Sequence, residues 1–324
     1  MLFLAGLMGM MLVGATVIVG TGGDDDTEND PQEPAGQDVG NGDLLDQIDG
    51  SIQAGTPDAD AMTGTDALDQ MGGYSGDDTI LAGADGDYVM GADGEDDLDG
   101  QSGDDDVHGG YGADLVQGSS GDDALFGHMG KDLILGGAGA DQMHGGDGDD
   151  TLNGGSGDDA VHGGLGDDGV EGGAGQDTLF GGWGDDWLSG LTARLQAEDA
   201  LAEETAETDF LNGGGGEDTV VGGAGDIVTT GEGADQVVLG DWIGLDDPSA
   251  TLMDFESGED QLILVYNDAT QSDPDIRIDA DDESTRVSMN GTLVATLVAG
   301  TKIDLSDIAL VPESAADAFL FRAS

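Results

Sequence analysis

Between Gly73 and Ser189 a large aliphatic or methionine side chain falls at every ninth position: Ile80, Val89, Leu98, Val107, Val116, Leu125, Ile134, Met143, Leu152, Val161, Val170, Leu179 and Leu188. An aspartate precedes each by two places. The triplet around each apolar residue reads as a short strand, its central side chain inward and its neighbours outward. The glycines between triplets read as tight turns. The full unit is G-G-x-G-x-D-x-U-x, where U is the apolar position, and it runs thirteen times without a slip. Two degraded copies precede the run, at Asp60/Met62 and Asp69/Met71. After an interruption the pattern resumes at Asp209/Leu211, Asp218/Val220 and Asp235/Val237.

The variable positions double the period. Third positions of alternate copies are all small in one set (Ala84, Ser102, Ser120, Ala138, Ser156, Ala174) and mixed in the other (Ser75, Asp93, Tyr111, Met129, Asp147, Leu165, Trp183). Ninth positions split likewise. One column reads Met90, His108, Phe126, His144, His162 and Phe180; the other reads Leu81, Asp99, Gln117, Leu135, Asn153, Glu171 and Ser189. One turn of a solenoid therefore takes two nonapeptides, and its two outer faces differ in character.

Outside the repeats the patterning changes. Residues 2–20 carry no charge and are long enough to span a bilayer, so they read as an apolar helix serving as transmembrane anchor or signal segment. Residues 21–54 read as an acidic linker. The interruption at 191–208 is rich in helix formers and contains neither Gly nor Pro, which predicts a helical insertion. Trp183 and Trp187 are expected to pack against Leu191 and Leu195. Over 241–324 short strand-like runs, with Asn290-Gly291 as a type I′ turn, predict a β-rich C-terminal cap; the tail from Ser314 is compatible with a secretion signal. The repeat region itself is taken as 55–240.

Charge narrows the function. Asp and Glu number 71 against 6 Lys and Arg, a formal charge of −65. Nucleic acid is excluded as a direct partner, because phosphate binding needs a basic footprint. Such charge in a compact fold requires neutralisation. The absence of cysteine removes disulfides and thiolate sites, which leaves a metal ion as a means of stabilisation.

The nonapeptide resembles the RTX, or hemolysin-type, calcium-binding repeat over roughly residues 55–240. That resemblance implies an all-β parallel β-roll with calcium ions, several per chain, held in the Gly-rich loops. It implies that the ligands are loop carbonyls and the sixth-position aspartates Asp78, Asp87, Asp96, Asp105, Asp114, Asp123, Asp132, Asp141, Asp150, Asp159, Asp168, Asp177 and Asp186, with Asp218 and Asp235 beyond the interruption. A full site takes loops from two adjacent turns, so thirteen copies give up to eleven sites in the uninterrupted block. Elementary electrostatics agrees. Turns stacked about 4.8 Å apart bring like carboxylates within about 5 Å, repelling by roughly 1 kcal/mol in water and about 3 kcal/mol at an effective dielectric of about 20. Calcium takes carboxylate and carbonyl oxygens readily; magnesium demands tighter geometry, and zinc prefers His or Cys. Metal binding and folding are then one equilibrium.

The Met90/His108/Phe126/His144/His162/Phe180 stripe reads first as a stacking ladder or covered face, and second as a docking surface for a protein or glycan; a transition-metal site between His144 and His162 is a third reading. No pair of histidines has the H-E-x-x-H spacing of a zinc protease, and no serine completes a nucleophile elbow. The expected function is therefore calcium binding by a non-catalytic protein, secreted or surface-anchored. The alternatives are the repeat-bearing part of a secreted protease, lipase or epimerase, and an adhesin.

Overall fold

The computed structural model describes residues 50–191 and 207–316, apart from 241, 246, 271–272 and 299–300. Each nonapeptide contributes one strand, and successive strands go alternately to two sheets. Gln142–Asp147 pairs in parallel with Ala124–Met129 on one side and Ala160–Leu165 on the other, always eighteen residues away. Leu133–Ala138, from the next copy, does the same in the opposite sheet with Leu115–Ser120 and Thr151–Ser156. Two strands and two turns thus complete each coil, as the alternating third and ninth positions require.

The apolar position of every copy points between the sheets. Ile80, Leu98, Leu125, Ile134, Leu152, Leu179 and Leu188 are fully buried in one continuous core. That core is one residue deep from each side, so the sheets can close only with small residues at the corners. The fourth-position glycines, such as Gly112 at φ 137° and Gly121 at φ 133°, take the left-handed backbone that turns the chain from one sheet to the other.

After the repeats both sheets continue. Gln261–Tyr266 and Ile308–Pro312 add to one sheet in parallel, and Ala250–Leu252 and Thr292–Val298 add to the other. An antiparallel meander of Ile276–Ala280, Ser284–Met289 and Thr292–Val298 ends that second sheet. Asn290 and Gly291, at φ 56° and 93°, form the tight turn between its last two strands. The segment expected as a cap is built largely as further coils of the same solenoid.

The helices expected from sequence require correction. The fold is an all-β parallel solenoid: among the described residues there is no α-helix, only single 3-10 turns at Leu305–Asp307 and Glu313–Ala315. Helix-forming composition does not decide the described ends of the 191–208 stretch, because the roll holds them. Leu191 N–H donates to Ser189 Oγ, and the Glu207 carboxylate accepts from Gly175 N–H at 2.7 Å. Residues 192–206, and the apolar stretch 2–20, lie outside the described residues. Among the described residues no helix is long and apolar enough to cross a membrane. Trp187 packs beside Leu191 in a small second core, whereas Trp183 is two-thirds exposed with its ring over Gly215.

Candidate metal centre

The sixth-position aspartates stand at the two edges of the roll, where strand begins and loop ends. All are buried, none more than 3% exposed. Their two oxygens have separate environments. Oδ1 accepts the backbone N–H of the aspartate one coil earlier: Asp78 N–H donates to Asp96 Oδ1 at 2.8 Å, Asp96 to Asp114 at 2.9 Å, and Asp114 to Asp132 at 2.9 Å. On the other edge Asp87 donates to Asp105 at 2.7 Å and Asp105 to Asp123 at 2.8 Å. Asp132, Asp141, Asp150, Asp159, Asp168, Asp177 and Asp186 continue these ladders, which cross the insertion to Asp209 and Asp218 and then reach Asp235.

Oδ2 turns into the glycine loop. In Asp78, Asp87, Asp96, Asp105, Asp114, Asp123, Asp132, Asp141, Asp159, Asp177, Asp186 and Asp218 it is buried without a hydrogen-bond partner among the described residues. A buried carboxylate oxygen left this way costs kilocalories unless a cation meets it. The loop in front of it is shaped by the first glycine of the unit. A Cβ placed on Gly91 would overlap Asp96 Oδ2 and lie 2.8 Å from the carbonyl of Gly109, one coil on; Gly118 stands in the same relation to Asp123 and the Gly136 carbonyl, at 2.9 Å. Each of these two loops therefore brings a carboxylate oxygen without a hydrogen-bond partner and a carbonyl of the next coil to a point where a Cβ would not fit. Among the described residues no point gathers three or more carboxylate, imidazole or thiol side chains, so any ion held here must rely on carbonyl oxygens as well. Hard oxygen donors of that kind suit calcium.

Burial, opposed by the backbone N–H bonds and reinforced by neighbouring aspartates, pushes these carboxyls up: Asp105 to about 6, Asp114, Asp123, Asp159 and Asp218 to about 7, and Asp186 to about 8. At Asp235 burial also raises the carboxyl, offset in part by the Asp218 N–H and the Thr230 hydroxyl. None of the causes that act on these six carboxyls is a Lys or Arg side chain. Of the six Lys and Arg in the chain only Lys131 falls within the thirteen copies.

The ends of the column behave differently. Asp60 Oδ2 accepts from Thr56 N–H and Thr56 Oγ1, and Asp69 Oδ2 from Thr65 N–H and Thr65 Oγ1. At Asp69 burial pushes upward, but these bonds and those from Ser51 outweigh it and leave the carboxyl below its ordinary value. At the far end Asp226 Oδ2 accepts Gly223 N–H at 2.6 Å and Asp260 Oδ2 accepts Glu256 N–H at 2.6 Å. The orphaned oxygens thus occupy the middle of the roll, between aspartates that the chain satisfies by itself.

Three members of this system were not anticipated from sequence. Asp226 sits 17 rather than eighteen residues after Asp209, which hid it from a strict count. Asp260 lies in G-E-D-Q-L, a full match to the second half of the unit, isolated by the loss of its glycine pair. Asp254, which accepts Thr230 N–H at 2.8 Å, has no repeat signal.

The ninth-position stripe lies on the outer face of the larger sheet. His108 stacks on Phe126 with ring centroids 4.7 Å apart, and His144 faces His162 at 4.4 Å. His128, from a second position rather than a ninth, joins it with Nε2 2.8 Å from His108 Nδ1. Burial lowers His108, against the pull of Asp106, and likewise lowers His162.

Comparison with known proteins matches the central part of this column. The family described as the RTX calcium-binding nonapeptide repeat matches at residues 72–107, 99–134, 108–143, 135–170, 162–192 and 205–226. No curated protein matches the chain. Among solved structures an extracellular lipase from Serratia marcescens aligns at 16% identity, covering 70% of this chain and 40% of the lipase, with a TM-score of 0.22, too low to carry an argument. Register, aspartate column and family match converge: across residues 72–226 this chain carries RTX calcium-binding nonapeptide repeats.

Proposed function

We propose that the protein is a non-catalytic calcium-binding module, acting outside the cell, whose roll forms when calcium binds. The observation that carries this reading is the column of buried Oδ2 atoms, each facing a glycine loop that a single Cβ would fill. The sixth-position aspartates from Asp78 to Asp186, with Asp218 and Asp235, are the carboxylate ligands, and the loop carbonyls of adjacent coils complete them. Calcium would supply positive charge to repeats that carry only Lys131 among Lys and Arg. The chain's own residues supply the rest: Oδ1 holds each carboxylate to the previous coil, and the first glycine leaves the loop open. Extracellular calcium modules bind in the range of about 10⁻⁴–10⁻³ M, which would keep a comparable roll open in calcium-poor cytosol and close it outside.

The test is far-UV circular dichroism of the full chain in chelator, titrated with calcium and in parallel with magnesium. A cooperative gain of β signal with calcium alone is expected. A chain that already shows its full β signal in chelator would overturn the coupling of folding to calcium.

A further inference from the structure

All four histidines of the 324-residue chain lie on one sheet face, within four neighbouring strands, and they stand in two pairs. His144 and His162 are register partners on Gln142–Asp147 and Ala160–Leu165, and His162 Nδ1 lies 3.0 Å from Nδ1 and 3.3 Å from Nε2 of His144. His108 and His128, on Asp106–Tyr111 and Ala124–Met129, bring Nδ1 and Nε2 to 2.8 Å. Phe126 stands between the pairs, against His108 on one side and edge-on to His144 on the other, so they form separate sites.

We propose that these two pairs are binding sites for a divalent transition-metal ion of the copper, nickel or zinc type, distinct from the calcium loops. Metal–imidazole bonds of about 2.0–2.1 Å put adjacent ligand nitrogens about 2.9 Å apart at a right angle and about 3.3 Å apart at a tetrahedral one. Both pairs already hold their nitrogens near that spacing. His108 is further oriented from behind, its Nε2 2.9 Å from Asp106 Oδ1, the carboxylate–histidine arrangement that steadies metal-ligating imidazoles. His128 stands at a second position, where the repeat's backbone is left-handed (φ 77° here, and 80°, 90°, 74° and 74° at Tyr74, Ala92, Gln101 and Ser119), and its ring lies on the same outer face as His108. Room for water ligands exists beside His144 and His162, where an open groove is bounded by Asp147, Leu165, Phe180 and Trp183. Asp106 meets His108 at the nitrogen turned away from His128, and among the described residues no group of three carboxylate, imidazole or thiol side chains is placed to hold an ion, so water completes each coordination sphere and the ions exchange readily. Nitrogen donors give selectivity: calcium, a hard cation, prefers the loop oxygens and leaves the imidazoles to softer ions.

The experiment is electron paramagnetic resonance of the full chain titrated with Cu²⁺ in excess calcium, so that the carboxylate sites are occupied. Wild type is expected to show imidazole nitrogen hyperfine structure that saturates at two ions, one per pair. H162Q should keep one such ion, and H128Q/H162Q none, with the calcium-induced circular dichroism retained. Copper held by oxygen alone in wild type, or a nitrogen pattern unchanged in H128Q/H162Q, would overturn the proposal. A second measurement needs no variant: in excess calcium, Zn²⁺ should slow the carbethoxylation of all four histidines severalfold, and unchanged rates would refute it.

Discussion

The two oxygens of a sixth-position carboxylate have different surroundings, the Oδ1 bonded to the previous coil and the Oδ2 proposed to meet calcium, and substitution can separate their contributions. Asp132→Asn keeps an oxygen for the Asp114 N–H but removes the charge at the loop; Asp132→Ala removes both and leaves that buried N–H without its acceptor, at about 1–3 kcal/mol. Both variants should raise the calcium midpoint for folding, and in saturating calcium the alanine variant should melt lower than the asparagine variant. Equal melting temperatures would show that the Oδ1 bond contributes nothing. Leu152→Ala, in a fully buried position of a core one residue deep, should cost about 2–5 kcal/mol in calcium-loaded melting. The Asp-x-U spacing made these residues legible in the sequence. The division of labour between oxygens was not, because Oδ1 is set by the coil before and Oδ2 by the loop in front. Nor could the sequence separate Asp69 from Asp78; the difference is Thr65, whose hydroxyl and N–H occupy Oδ2.

At the level of the strand and its loop, the first glycine is the element's sensitive point. Gly154→Ala would place a Cβ 2.5 Å from the Gly172 carbonyl and against Asp159 Oδ2, inside the proposed cradle. Its calcium midpoint should rise severalfold; a midpoint matching wild type would mean that the loop does not hold the ion. Register gives a second expectation. Deleting eighteen residues, 118–135, removes one coil and leaves every downstream strand in its own sheet, whereas deleting nine exchanges the two sheets for everything that follows. The longer deletion should therefore melt in calcium closer to wild type than the shorter one. The alternating third and ninth positions revealed this two-strand coil without a structure. The coils beyond 240 escaped because their partners lie 24 to 46 residues apart, as in Ile227↔Thr251 and Leu262↔Ile308, with no period to betray them.

For the molecule as a whole, the raised carboxyls should tie folding to pH, as the proposed calcium sites would tie it to calcium. Asp105 stands at about 6, Asp114, Asp123, Asp159 and Asp218 at about 7, and Asp186 at about 8 in the metal-free fold. A folded pKa above the unfolded one contributes stability that is complete below the unfolded value and is lost as pH rises through the folded one. The metal-free chain should thus gain β signal on going from about pH 8.5 to about pH 5, while the calcium midpoint rises as protons compete for the same oxygens. More β signal at the alkaline end would contradict the sign. The aspartate ladder also has a direction. On both edges each rung donates from one coil to the carboxylate of the next; one line runs through Asp209 to Asp226, and the other ends where Asp235 N–H reaches Asp260 at 3.2 Å and Asp260 turns its own N–H to the nearby Glu256 carbonyl. The stack is in this sense a queue, each member waiting on the one behind it. A chain delivered amino end first, from a ribosome or through a pore, would carry an open rung at its trailing coil until Asp260 arrived to close the line.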